Sequence, residues 1–224
     1  TNFTNSLIVG HSTTGTLNDA QKNTAVGLSS MTSITSGDQN TVIGSFAGQS
    51  LTTGGSNTFI GVTAGQNGTT HNANTYVGNG SGTNATGSNS TGLGYNSLKE
   101  NTGTFNIAIG LDAGDNITSG DGNIIIGSVD AASATADRQL LIAGNDGSTT
   151  TTWISGDSNG QVKLVSGYIA EVALTDASTI TWNAATQPVA KVTLGASRTM
   201  GLPANPVSGQ FISLLIIQDG TGSR

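Results

Sequence analysis

Side chains that could carry out catalysis are few and widely separated. The only two histidines, His11 and His71, lie in polar segments that are typical of solvated turns. Nucleophilic catalysis needs a histidine within hydrogen-bond reach of a nucleophile and oriented by a third group. Glycoside hydrolysis needs two carboxylates that flank the bond, yet glutamate occurs only at Glu100 and Glu171. The sequence therefore predicts that this chain is not an enzyme, with a polysaccharide depolymerase as a lesser alternative.

Metal and cofactor chemistry has little support in the residue pattern. Asp112, Asp115 and Asp121 lie among glycines, and Ca²⁺ prefers several such oxygen ligands. Their spacing matches neither an EF-hand loop nor the calcium-binding nonapeptide repeat, and aspartate favours turns in any case. Cysteine is absent, so the chain has no disulfide or thiolate site. We predict no bound metal and no cofactor.

Composition excludes two further classes of partner. The 224 residues carry a net charge of −6 and only 9% charged side chains, without the basic patch of a nucleic-acid surface. No run of 18 apolar residues exists, so we expect no membrane insertion. Glycine is abundant at 33 residues and apolar residues make up 34%, which suits a thin stack of strands better than a thick globular core.

A repeat of 17 residues organises the first two thirds of the chain. The stretch Asn-Thr-Val-Ile-Gly-Ser-Phe-Ala-Gly at 40–48 returns at 57–65 and, less closely, at 74–82 and 106–114. The repeating glycines are spaced by 16 or 17 residues: Gly10, Gly27, Gly44, Gly61, Gly78, Gly94, Gly110, Gly127 and, less clearly, Gly144. Such a period predicts an all-β parallel β-solenoid with one turn per repeat.

The tripeptide before each glycine predicts a short strand with two differently facing sets of side chains. The residues one and three before the glycine are mainly Val, Ile and Thr, and we expect them to point into the coil. The middle residue would then point outward and, being largely apolar, would be covered by a second copy of the chain. The predicted interface column facing a threefold axis is Ala25, Val42, Phe59, Tyr76, Ala108 and Ile125.

Three other features of the repeat have structural implications. The glycines indicate a positive φ or a close backbone approach. The asparagines four residues before them predict a stacked amide ladder. Seven residues after the glycine, a second apolar position would add to the core, as at Leu17, Ile34, Leu51 and Ile117. The period ends near residue 150, so we divide the chain into a solenoid at 1–150 and a small β domain at 151–224.

Two resemblances bear on function. The Asn-Thr-x-Ile-Gly-x-x-Ala-Gly repeat resembles the head repeats of trimeric autotransporter adhesins, which form a trimeric parallel β-roll with a shorter period. The segments 176–182, 192–200 and 218–224 look like a tail segment common in bacteriophage tail-fibre and other virion proteins. Together these resemblances imply a homotrimer located in the virion, in contact with other virion proteins, that spaces or presents a host-attachment tip.

Two alternatives and one binding hypothesis stay open at this stage. A bacterial trimeric surface adhesin would place the same repeats on the cell surface. An ice-binding solenoid would use the threonine column Thr24, Thr41, Thr58, Thr75 and Thr91, although we expect that column to point inward. If the segment binds host surface glycans, the varied turns are the expected place, with Gln66, Asn67, His71 and Asn72 as contacts.

Overall fold

The chain folds into two compact all-β units, Thr1–Val165 and Ser166–Arg224. The computed structural model describes residues 5–10, 14–164, 171–206, 208 and 211–220, and these residues form strands and turns without a helix. The predicted parallel β-solenoid of about 17-residue turns is confirmed. The first unit continues past residue 150, where the sequence placed its end, because the next strand pairs with the last turn and the strand after it pairs with that strand.

Eight three-residue strands stack in parallel and in register, one from each solenoid turn. Equivalent residues pair directly, so that Thr41 faces Thr58 and Ile43 faces Ile60. The strands are β1 (Leu7–Val9), β2 (Thr24–Val26), β3 (Thr41–Ile43), β4 (Thr58–Ile60), β5 (Thr75–Val77), β6 (Thr91–Leu93), β7 (Ile107–Ile109) and β8 (Ile124–Ile126). Each turn therefore repeats the backbone hydrogen bonds of the turn before it.

An antiparallel hairpin follows the last parallel turn. Strand β9 (Leu140–Asn145) pairs in parallel with β8, while β10 (Thr150–Gly156) and β11 (Val162–Leu164) continue the sheet in antiparallel fashion. The register aligns Ile126 with Ile142, so Ala143 rather than Gly144 takes the position of the turn glycine. Gly144, the last glycine of the sequence repeat, therefore lies one residue after the position of the turn glycine.

The two faces of the strands are the reverse of what the sequence predicted. The middle residues fill the inside of the coil and have no exposed surface: Ala25, Val42, Phe59, Tyr76, Ala108 and Ile125. The flanking Val, Ile and Thr residues point outward, with Ile43 39% and Ile60 37% exposed. Side chains buried inside their own chain cannot contact a neighbouring chain, so the predicted interface column was wrong.

Complementary side-chain volumes explain why the middle column lies inside. A β-carbon at Gly65 would lie 2.7 Å from the ring of Phe59, six residues earlier in the same turn, and one at Gly82 would lie even closer to the ring of Tyr76. Conversely, buried Leu98 lies six residues after the small Gly92. Because the interior of one turn has a nearly fixed volume, a large residue at one position requires a small one at the other.

The turn glycines and the asparagine ladder form as predicted. Gly27, Gly44 and Gly61 have φ values of 137°, 141° and 138°, and a β-carbon at Gly27 would lie 2.6 Å from the carbonyl of Gly44. Buried Asn40 and Asn57 are linked by a 3.0 Å bond from the Asn57 Nδ2 to the Asn40 Oδ1. The ladder satisfies inward-facing polar groups and joins successive turns. The second apolar position is also confirmed, since Ile34, Leu51 and Ile117 are fully buried and Leu17 packs on them half-buried.

The second unit contains two small sheets whose described strand pairs are all parallel. Strand β14 (Val189–Leu194) lies between β12 (Val172–Ala173) and β16 (Ser213–Gln218), and β13 (Thr179–Ile180) pairs with β15 (Thr199–Met200). Among the described residues of the unit, the buried side chains are Ile180, Trp182, Ala184, Ala190 and Val192. This second all-β unit agrees with the small β domain expected from the sequence.

Candidate functional site

The outward-facing strand residues form one uncharged surface along the solenoid, here called the strand face. It consists of the residues one and three positions before each turn glycine in β1–β8. One row is Val, Ile and Leu, and the other is threonine from Thr24 to Thr91, with Ile107 and Ile124 after it. The exposed fractions of Ile107, Ile109 and Ile124 are 38%, 39% and 38%. Such a surface offers apolar contact and a row of hydroxyl groups in a regular array.

Large apolar residues directly after the turn glycines adjoin the strand face. Leu28, Val62, Tyr95 and Leu111 hold this position and are 57%, 45%, 49% and 54% exposed. The equivalent residues in the other turns between 45 and 128 are serine or asparagine, so this row is also uncharged. The apolar surface is therefore wider than the three-residue strands alone.

The turn proposed for glycan contact uses most of its polar groups internally. Gln66 donates its Nε2 to the Gln49 Oε1 at 3.0 Å, and Asn67 donates its Nδ2 to the Asn84 Oδ1 at 2.7 Å. Asn72 accepts a bond from the Gly55 amide through its Oδ1 and donates through its Nδ2 to the Thr70 carbonyl. Gln66 and Asn67 thus pair with side-chain amides of neighbouring turns, and Asn72 pairs with backbone groups, which favours a structural role over ligand binding.

His71 is buried, contrary to the solvated position expected from the sequence. Its side chain is only 1% exposed, and its ring meets that of Phe59 edge-on at a centroid distance of 5.2 Å. Its Nδ1 lies 3.2 Å from the Ala85 carbonyl oxygen, so this nitrogen carries the proton and donates. Burial lowers the pKa of His71 to about 4, so the imidazole is neutral near pH 7. His71 cannot contact a glycan, and His11 lies outside the described residues.

The aspartates considered for calcium do not share one site. Asp112 and Asp115 line a shallow pocket of about 260 Å³ together with Asp130, whereas Asp121 accepts a bond from the Thr104 amide elsewhere. Burial raises the pKa of Asp115 to about 6, and a hydrogen bond and negative charge from Asp130 add to the rise. No group of three or more potential metal-ligating side chains is arranged around a cation position in the described parts of the chain.

The segments that resemble a virion tail motif are joined by an ion pair. Arg198 contacts Asp176 through two bonds, Nε to Oδ1 at 2.5 Å and Nη2 to Oδ2 at 2.8 Å. The Gly195 amide also donates to this carboxylate, at 3.0 Å. The bonds from Arg198 hold the pKa of Asp176 down at about 2. Two of the three motif segments therefore form one structural element, while residues 221–224 of the third lie outside the described part.

One surface pocket was missed by the sequence analysis altogether. It lies on the β9–β10 hairpin beside Trp153 and has a volume of about 480 Å³. In the sequence, Trp153 lies among threonine, serine and glycine residues, so β10 shows no clear strand alternation. An exposed tryptophan in a polar segment was the one available signal.

We also searched for membrane-spanning helices and for similar proteins. Within the described ranges, no helix is long and apolar enough to cross a bilayer. Comparison of the chain with protein-family models, curated proteins and solved structures gives no match.

Proposed function

We propose that this chain is a non-enzymatic structural segment of a fibre, assembled as a homotrimer through the strand face. The observation that carries this proposal is the uncharged strand face of the solenoid, with its continuous row of outward-facing Val, Ile and Leu side chains. Monomeric proteins rarely expose a contiguous apolar surface of this kind, because its burial in an interface is favourable. The proposed interface therefore consists of the two flanking columns and not of the middle column, which is buried.

The dimensions of the strand face suit an interface between copies of the chain. The eight strands are spaced by about 4.8 Å, and the face spans five backbone positions of about 3.3 Å, from three residues before the turn glycine to one after it, which gives a plate of roughly 34 by 17 Å. This projected area of about 570 Å² approaches the roughly 800 Å² that each partner buries in a typical stable interface. The threefold number follows from the resemblance of the repeat to trimeric adhesin heads.

A virion fibre is the setting that the tail motif favours. Two of the segments resembling a phage tail-fibre motif are held together by Asp176 and Arg198, which supports the view that they form one structural unit. We place the chain in a tail fibre, where it spaces or presents a host-attachment tip and contacts other virion proteins. The alternative is that the same assembly lies on a bacterial surface as an adhesin. Neighbouring genes for other virion proteins would favour the tail fibre over the adhesin.

Sedimentation of purified Ile60→Asp tests the assembly. We expect the wild-type chain to sediment as a trimer at micromolar concentration and Ile60→Asp as a folded monomer, because the interface would bury an unpaired charge. Thr70→Asp is the matched control, since Thr70 lies exposed in a turn away from the strand face, and it should remain trimeric. A wild-type chain that stays monomeric at these concentrations contradicts the proposal.

Ice binding is a second candidate, because the structure removes the objection raised from the sequence. The threonines at 24, 41, 58, 75 and 91 point outward beside the Val and Ile row, not inward as expected. Stacked strands repeat at about 4.8 Å, so the hydroxyl groups form a regular array. Assembly and ice binding require the same face. A monomeric chain that inhibits ice recrystallisation, with loss of that effect in Thr58→Asp, would favour ice binding over the fibre.

A further inference from the structure

Trp153 projects from an irregular position in the β9–β10 hairpin. Thr152 pairs with Ala143 and Ile154 with Ile142, so Trp153 is the extra residue of a β-bulge. Bulges commonly redirect a side chain, and they occur often beside binding sites. The Trp153 side chain is 56% exposed, whereas the chain's other tryptophan, Trp182, is 9% exposed.

Gly144 provides the surface against which the Trp153 ring rests. A β-carbon at Gly144 would lie 2.6 Å from Cη2 and 2.7 Å from Cζ2 of Trp153. Gly144 is not among the residues with positive φ, so its backbone conformation is open to other residues. The glycine is therefore needed for close contact with the indole. This contact holds one edge of the ring in place and leaves the rest exposed.

Polar groups surround the rest of the pocket. It is lined by Gly144, Asn145, Asp146, Thr149, Thr151 and Trp153. The amides of Ser148 and Thr149 both donate to the Asp146 Oδ1, at 2.9 and 2.8 Å, which fixes the carboxylate and leaves Oδ2 able to accept from a ligand. These bonds also hold the pKa of Asp146 below its usual range, so the group is an anionic acceptor.

The geometry points to a binding site for a neutral pyranose sugar. One face of a pyranose carries C–H groups that pack on an aromatic ring, and its rim carries hydroxyl groups that donate to carboxylates. A single exposed indole beside the Asp146 carboxylate and the Thr149 and Thr151 hydroxyls offers both kinds of contact. The pocket lies within one chain, so this inference goes beyond the fibre proposal and does not depend on trimer formation.

Charge and ring number select a neutral sugar over other ligands. Asp146 and the net charge of −6 disfavour sialic acids, uronic acids and other anionic ligands. A quaternary ammonium ligand is usually enclosed by several aromatic rings, whereas Trp153 is the one aromatic residue that lines this pocket. The pocket is open and shallow, so binding of one sugar should be weak, with a dissociation constant on the order of millimolar.

Saturation-transfer difference NMR on the full chain tests this site. The probes are methyl glucoside, methyl mannoside and methyl galactoside at about 10 mM, with tetramethylammonium as the cationic comparison. We expect saturation of the C–H face of at least one sugar. Trp153→Ala should weaken this sugar's binding roughly tenfold, as expected for loss of an aromatic contact. Trp153→Phe should retain part of the binding.

The control variant removes a different exposed aromatic residue. Phe211 is 96% exposed in the second unit, and Phe211→Ala should bind the sugar as the wild type does. If Trp153→Ala fails to fold by circular dichroism, Thr151→Val replaces it, because this change removes a hydroxyl while keeping the side-chain shape. Absence of saturation for all three sugars, saturation of tetramethylammonium alone, or equal signals in folded Trp153→Ala would overturn the assignment.

Discussion

At the scale of single residues, neighbouring side chains in one strand have opposite surroundings. Phe59 has no exposed surface, whereas Ile60, the next residue, is 37% exposed. Both are large and apolar, so residue type does not reveal which of them faces the core. Phe59 also contacts the rings of His71 and Tyr76, with centroid distances of 5.2 and 5.5 Å.

Truncation of these two residues should therefore affect different properties. We expect Phe59→Ala to lower the free energy of unfolding by roughly 3–5 kcal/mol, because it leaves a cavity in the narrow core. Ile60→Ala should lower it by less than about 1 kcal/mol in the dissociated chain. Denaturant unfolding of both variants at low protein concentration measures the difference. Equal losses would place Ile60 in the core and contradict the observed orientation.

The sequence predicted the repeat unit correctly but not the direction of its side chains. Glycine spacing and the Asn40–Asn57 ladder depend on local backbone requirements, which recur in each turn and are visible in the sequence. Side-chain direction is set by the volume inside the coil, and alternation leaves both directions open when both faces are apolar. The informative signal was the covariation within one turn, with Phe59 followed by Gly65 and Gly92 by Leu98.

The candidate surfaces were harder to predict for the same reason. The strand face could be recognised only once the middle column was known to be buried. The pocket at Trp153 arises from a bulge between Thr152 and Ile154, which breaks the pairing at a point that no repeat marks. His71 looked solvated because its neighbours are polar, yet it fills a space left by a glycine in its own turn.

At the scale of solenoid turns, Gly68 and His71 reverse the order of a large and a small residue that the preceding turn shows. In the preceding turn the equivalent residues are Leu51, which is buried, and Gly54. A β-carbon at Gly68 would clash with the His71 ring, so the imidazole occupies the space that an aliphatic side chain fills elsewhere. One turn thus replaces a core leucine with a buried histidine while keeping the volume nearly constant.

This exchange should make the solenoid sensitive to acid. The pKa of His71 falls from 6.5 in the unfolded chain to about 4 in the folded one, so the unfolded chain binds the proton more tightly. The contribution of the neutral imidazole to the free energy of unfolding is complete above pH 6.5. It is lost as the pH falls towards 4, and the total loss is about 3 kcal/mol. Denaturant unfolding at several pH values measures this slope.

A double substitution provides the matched control for this pH effect. Gly68→Leu with His71→Gly restores the arrangement of the neighbouring turn, and it should fold and show a flatter pH profile than the wild type. Asp115, whose raised pKa of about 6 acts in the opposite direction, is present in both chains and cancels in the comparison. Each single substitution should destabilise the chain, through a clash or a cavity. An unchanged pH profile in a folded double variant would refute the role of His71.

At the scale of the whole solenoid, the stacking direction determines how the unit carries load. Hydrogen bonds between turns, such as the 2.8 Å bond from the Thr41 amide to the Asn57 carbonyl, run along the stack. Tension applied along this direction therefore loads the turns in series, since the bonds of one turn are not shared with distant ones.

Mechanical yielding is the consequence of that arrangement. A released turn of 17 residues can extend to about 58 Å, compared with about 4.8 Å in the stack, so each release lengthens the chain by roughly 53 Å. Optical-tweezer pulling on the isolated chain should show a series of steps of this size, and a single all-or-none rupture would argue against serial loading. A segment of this kind dissipates a sudden pull by lengthening turn by turn, while the parts at its two ends remain connected.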